Sequence, residues 1–229
     1  MANYVCGVDL GQRVDPTALV IIEMTDDAPR HYSIRHTERW KGLEYHQVAQ
    51  RLKDRLSRPP LGPGILSRVQ SVLGRSMPTA NHVSVIVDES GVGVGVTEIL
   101  ERVECGHPLT PVTITAGTGS TRDGQRWRVS KSLLISTVDA LLDTARLTVG
   151  QHVPGRDVLL NELTAFRRKY TAAANEVFMN NAREAEHDDL VLATALACWA
   201  VEHGPARPAH VWFLGGPSEV DPATGEFWW

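Results

Sequence analysis

The chain has 229 residues, 42% hydrophobic and 22% charged, with 19 Gly and 13 Pro, a composition that supports a folded core and excludes collagen-like, low-complexity and largely disordered classes. Against 27 Asp and Glu stand 23 Lys and Arg, a formal charge of -4, so no overall basic field advertises a nucleic-acid partner and only the distribution of charge bears on one. No apolar run approaches the ~20 residues that span a bilayer, the N-terminus has no signal-like pattern, and Cys6, Cys105 and Cys198 lack paired spacing, so the expectation is a cytoplasmic protein with no membrane partner and with buried thiols.

In chain order, residues 4–9 read as a short apolar strand ending in an acid, residues 11–16 as a turn, and residues 17–24 as a second strand. A third strand is predicted at 31–36, where Tyr32 and Ile34 alternate with polar neighbours, so three antiparallel strands open the sheet. Tyr45, Val48, Ala49, Leu52 and Leu56 recur at helical spacing over 44–58, and Pro59-Pro60 stops that helix. Residues 59–80 are punctuated by Gly and Pro around a short helix at 65–73 and read as a surface insertion. The β-branched run 83–87 suits a central strand buried on both faces, and it too ends in an acid, Asp88. Gly91, Gly93 and Gly95 then lead into a helix over 96–104, a strand at 112–115 and a loop rich in Gly and Thr. A helix follows at 131–143 with Ser130 as its N-cap, then a strand at 147–149, a helix at 157–165 and a polar hairpin over 166–180. A last helix, 188–202, is rich in small residues suited to tight packing on the sheet. Alternating strands and helices after the opening hairpins predict a mixed α/β sheet flanked by helices, with a domain over 1–203 and a tail over 204–229.

Three acidic positions stand where such a sheet brings residues together: Asp9 after the first strand, Asp88 after a central strand, and Asp188-Asp189 at the start of the last helix. Ligands bind in the crevice beyond the carboxyl ends of strands in open α/β sheets. Each acid also has a structural reading: Asp9 as a turn former, Asp88 as a helix cap, Asp188-Asp189 as complements to a helix dipole. Together they form a hard oxygen donor set suited to Mg2+ or Mn2+, and a pair of such ions about 4 Å apart supports phosphodiester cleavage.

The segments GVDLGQRVDPTALVII, VIVDESGVGVG, WRVSKSLLISTVDALL and EHDDLVLATALACW, in that order, resemble the RNase H-like (RuvC-like) nuclease domain of phage terminase large subunits. The resemblance runs from Gly7 to Trp199, and its most specific pieces are the Asp88 strand with its glycines and HDDLVLA. It implies an RNase H-like fold and a site in which Asp9, Asp88 and one or both of Asp188 and Asp189 hold Mg2+ or Mn2+, two ions in all, to cut DNA during genome packaging. Glu186 precedes Asp189 by three residues, on one helical face if the helix begins early, which favours Asp189 as the direct ligand and keeps Asp188 open. The implied partners are DNA and, with them, a separate packaging ATPase and a portal or small terminase subunit; a phage-encoded chain would act in the host cytoplasm. A complete terminase large subunit also carries an ATPase, but no G-x-x-x-x-G-K-[ST] occurs here. The chain is therefore not expected to be the whole motor, and two readings stay open: a free-standing nuclease, which the initial Met1 slightly favours, or a domain excised from a longer protein.

Lys131, with Arg126 and Arg128 nearby, is placed to meet a phosphate or to project from a solvated helix start. Arg167, Arg168 and Lys169 beside Tyr170 combine cations with a stacking surface, as DNA binders do. Gly91, Gly93 and Gly95 are better explained by close backbone packing than by a nucleotide loop, lacking the dinucleotide-binding spacing. His187 suits support of a ligand rather than ligation, and Ser90 lacks the setting of a hydrolase nucleophile. The competing readings are an ATP-binding protein of the actin and sugar-kinase type, which has no required counterpart of HDDLVLA, and a DNA-packaging module that no longer cleaves.

Overall fold

The computed structural model describes residues 2–11, 15–62, 81–91, 94–102, 106–175 and 188–204, with backbone alone for 94 and 166–175. β1 (Asn3–Asp9), β2 (Thr17–Met24) and β3 (Tyr32–Trp40) open the chain, followed by α1 (Tyr45–Leu56), β4 (His82–Asp88) and α2 (Val94–Arg102). Then come β5 (Leu109–Thr115), β6 (Ser120–Asp123), β7 (Arg126–Ser130), α3 (Lys131–Asp143) and β8 (Leu147–Val149). α4 (Arg156–Asn175) and α5 (Asp189–Glu202) complete the described elements.

The strands form one sheet in the order β6-β7-β5-β4-β1-β2-β3-β8. β2 is antiparallel to β1 and β3, while β4 joins β1, β5 joins β4 and β7 joins β5 in parallel. This is the mixed α/β arrangement the sequence implies, opening with antiparallel strands and flanked by helices. α1 and α2 cover one face over Cys6, Val8, Leu19, Val85 and Val87. α3, α4 and α5 cover the other over Val5, Val20, Ile22, Ile86 and Val112. β1 and β4 are therefore apolar at nearly every position, as strands buried on both faces must be.

α5 is the central helix. From Asp189 to Val201 every residue except Leu192 is buried, so no amphipathic stripe exists and the helix sits wholly within the core. Trp199 meets Trp127 edge-to-face, ring centroids 5.3 Å apart. At the far end Tyr32 donates to the Glu202 carboxylate, which also pairs with Arg146 at 2.7 Å.

Several expectations are corrected. The Gly- and Thr-rich loop contains a hairpin, β6 and β7, whose second strand extends the sheet; strands this short owe their identity to pairing rather than to an apolar pattern. The polar hairpin predicted over 166–180 is not present through 175, because α4 continues there to Asn175, through Ala172-Ala173-Ala174, whose helix propensity outweighs the absence of a stripe. Close packing at the glycines fails at Gly95, where a Cβ would meet nothing within 4 Å, whereas Gly91 adopts φ 75°, a conformation suited to glycine. The helix at 65–73, Gly93, Cys105, Glu186, His187 and the tail from 205 lie outside the described residues. Cys6 and Cys198 are buried, and burial pushes the Cys6 thiol up to about 12.

Candidate active site

β1 and β4 run side by side, and their register sets Asp9 opposite Asp88, on strands about 4.8 Å apart. Side chains alternate along a strand; since Val5 and Ile86 belong to the core beneath α5, Asp9 and Asp88 point to that same face. Each stands at the carboxyl end of its strand. Asp88 is fixed further by a turn in which the Ser90 N–H donates to its Oδ1 at 2.7 Å, while the Ser90 hydroxyl accepts from the Ile114 N–H at 2.6 Å.

Gly7 brings the third element in. A Cβ there would lie 1.8 Å from the Ala193 carbonyl oxygen, so only glycine lets the α5 backbone rest against β1. The direction of α5 follows from its other end. Glu202 meets Tyr32, which pairs with Met24, which pairs in turn with Asn3 at the start of β1. α5 thus runs antiparallel to β1, and its first turn lies at the end of β1 that carries Asp9.

Cations hold the two acids of α5 in different ways. Lys131, first residue of α3 behind its Ser130 N-cap, reaches Asp188 Oδ2 at 2.9 Å. Arg39 lies 3.3 Å from Asp189 Oδ2 and also pairs with Glu162 of α4. Glu162 accepts in turn from the Leu190 N–H at 3.1 Å, capping an α5 terminus whose own Asp188 side chain makes no cap hydrogen bond. A bulge in β3 makes this possible. The register with β2 shifts between Ile21 and Ile22, so Tyr32 and Ile34 face α5 before it and Thr37 and Arg39 face that side after it.

The electrostatics record the crowding. Burial, then the charges of Asp88, Asp189 and Asp188, push the Asp9 carboxyl well above the ordinary carboxylate range, and Lys131 opposes them. Burial likewise raises Asp88 over the opposing hydrogen bonds from Ser90. Glu162 is raised by burial against the pull of Arg39. Among the described residues no three His, Cys, Asp or Glu side chains are already arranged to hold a metal ion; Asp188 and Asp189 are turned to Lys131 and Arg39 instead. The donor set nonetheless fits a hard divalent cation: four carboxylates share one end of the sheet, and their mutual repulsion is the feature a cation would relieve.

Of the other predicted site residues, Arg128 is exposed on β7 and shares with Arg126, two residues before it, the face opposite the acids, where Arg126 pairs with buried Glu89. The backbone of Arg167, Arg168 and Lys169 lies in α4. Sequence reasoning missed Arg39 and Glu162. The signal for Glu162 was a carboxylate flanked by the buried Leu159 and Leu163; for Arg39 it was the alignment Asp9, Ala18, Arg39 across three strands, hidden by the bulge.

Solved structures with a similar chain path include the large terminase nuclease from thermophilic phage G20c, at 20% identity over 86% of this chain and 81% of that one, TM-score 0.48. The g2p (large terminase) nuclease domain from bacteriophage SPP1 with bound Mn matches at 12% identity over 85% and 84%, TM-score 0.43. RuvC of Thermus thermophilus matches at 15% over 86% and 94%, TM-score 0.35. No family model and no curated protein matches. At scores this low, the functional reading rests on the chain's own residues.

Proposed function

We propose that the chain is a divalent-metal-dependent nuclease that cuts DNA at the Asp9, Asp88 and Asp189 carboxylates, with Asp188 at the rim, and that it serves viral genome packaging. The observation carrying this reading is the register of Asp9 against Asp88 with the acidic start of α5 packed beside them. Two Mg2+ or Mn2+ ions held there would supply an activated water and stabilise the leaving oxygen. The chain's own groups do the positioning. Ser90 holds the Asp88 carboxylate, Gly7 admits α5, and Arg39 with Glu162 orients Asp189 until a cation competes for it. Lys131, half-exposed beside Asp188, offers positive charge to the phosphate. The role in packaging, with a separate ATPase and a portal or small subunit as partners, is supported by the four sequence segments alone.

The test is plasmid nicking with Mn2+ and no nucleotide. Asp9→Asn and Asp88→Asn should each abolish nicking, by at least about a hundredfold given what a lost metal ligand removes, while circular dichroism stays native. Wild-type nicking in either variant would remove these acids from the mechanism. Micromolar ATP binding without nicking would favour the actin and sugar-kinase reading.

A further inference from the structure

On the sheet face opposite the acids, a cavity of about 330 Å³ opens between β3 and α1, lined among the described residues by Glu38, Arg51, Asp54, Arg55 and Arg58. Every one is charged. Arg51, Arg55 and Arg58 follow one another at four- and three-residue spacing, which places them on one stripe of α1 and the turn after it. The stripe lies beside the buried one formed by Val48, Leu52 and Leu56.

The charges are not equivalent. Glu38 accepts from His36 at 2.7 Å and from the Trp40 indole at 2.8 Å, and it pairs with Arg55. The His36 bond first, then those from Arg55 and Trp40, hold its carboxyl down at about 2 despite partial burial, so it is ionised at neutral pH and Arg55 is committed to it. Asp54 is occupied by a hydrogen bond from Gln50 at 2.9 Å. Arg51 and Arg58 are exposed and make no ion pair among the described residues. Two guanidinium groups therefore flank the cavity with their forks uncommitted, in a protein of formal charge -4.

The geometry points to a second anion-binding site here, outside the acidic centre, that takes the phosphates of a single nucleic-acid strand. Guanidinium forks match phosphate and carboxylate oxygens bidentately. What favours a strand is separation: Arg51 lies within α1 and Arg58 in the turn past its C-cap Ser57, on the order of two helical turns (~10 Å) apart, which suits monoanions repeated along a chain better than one anion held by both. The edge position adds access. Beyond Ile34, β3 keeps β2 on one side, and on its other side no strand pairs with it among the described residues, because β8 pairs only with Tyr32 to Ile34. This inference stands apart from the nuclease reading and does not need it.

The experiment is fluorescence anisotropy of a labelled ten-residue oligo-dT on the full chain in EDTA and low salt. Arg51→Ala with Arg58→Ala should weaken binding about tenfold and lower the log-log salt slope by about 1.4, at ~0.7 per single-strand contact. Arg102→Ala, an exposed arginine on α2 paired with Glu98, should bind as wild type. Asp54→Asn removes a negative charge from the cavity and should tighten binding at least about twofold, a gain that misfolding cannot imitate. Displacement of the probe by thymidine monophosphate as readily as by unlabelled oligo-dT would identify free nucleotide as the source of the phosphate. The proposal is overturned if the double variant binds as wild type, if wild type binds no oligo-dT, or if poly-glutamate displaces the probe better than oligo-dT does, since the last would make an acidic polypeptide the ligand.

Discussion

Asp9 sits where burial and three further carboxylates all oppose its charge, and that conflict has a sign that can be measured. An acid whose native pKa is raised above its unfolded value favours the protonated native state. Its stabilising contribution is fully present below about pH 4 and is lost as pH rises through the native value. Asp88 shifts in the same direction, so at neutral pH without metal both carboxylates weaken the fold. Asp9→Asn should then stabilise the metal-free protein at pH 7 by on the order of 1 kcal/mol, which raises Tm by about 2–4 °C for a chain this size, and the gain should vanish near pH 4. Adding Mn2+ should raise the Tm of wild type and leave Asp9→Asn nearly unmoved, since only a state that binds the ion is stabilised by it. Scanning fluorimetry in EDTA and in Mn2+ reads both. A variant no more stable than wild type in EDTA would mean that the acids are not in conflict.

At the scale of elements, the site is an intersection of β1, β4 and α5, and Gly7 fixes how closely they meet. Gly7→Ala would drive a Cβ to 1.8 Å from a backbone carbonyl of α5, an atom that cannot swing aside. The expected cost is about 1–3 kcal/mol, with Mn2+ affinity falling as Asp189 withdraws from Asp9; urea unfolding and metal titration check the two separately. Full stability in the variant would mean that α5 does not rest on β1. These elements were largely legible beforehand, because β-branched runs and helical spacing report burial directly: the strands at 17–24 and 147–149 and the helix at 131–143 have the predicted bounds. Asp9, Asp88 and the start of α5 were legible as strand and helix ends. Illegible were the features that depend on pairing or on distant partners. The β6-β7 hairpin exists through its register, Arg39 reaches the site through a bulge that reverses side-chain parity, and Glu162 caps a helix 27 residues further along the chain.

Across the whole molecule, a net charge of -4 conceals a division of labour. The carboxylates gather at one end of the α5 face, two of the nearby cations, Lys131 and Arg39, are engaged with them, and any DNA approaching must be met by basic groups beyond that ring. α4 supplies a route. It carries Glu162 at the site and continues to Asn175, so Arg167, Arg168 and Lys169 follow five to seven residues later, about 7–10 Å along the same axis. We expect these three to contact phosphates of duplex DNA lying across the acids. Replacing all three with Ala should then weaken DNA binding in Ca2+, which occupies carboxylate sites without supporting the cleavage expected of Mg2+ or Mn2+, and should lower the log-log salt slope by up to about 2.7, at ~0.9 per contact. Arg128→Ala, on the face of β7 opposite the acids, should leave the slope at its wild-type value. Nicking at saturating DNA should survive the triple replacement, because the contacts proposed for these residues serve affinity and the carboxylates stay intact. If the slope stays at its wild-type value, the duplex does not follow α4, and its path must instead be sought along β7 and the start of α3.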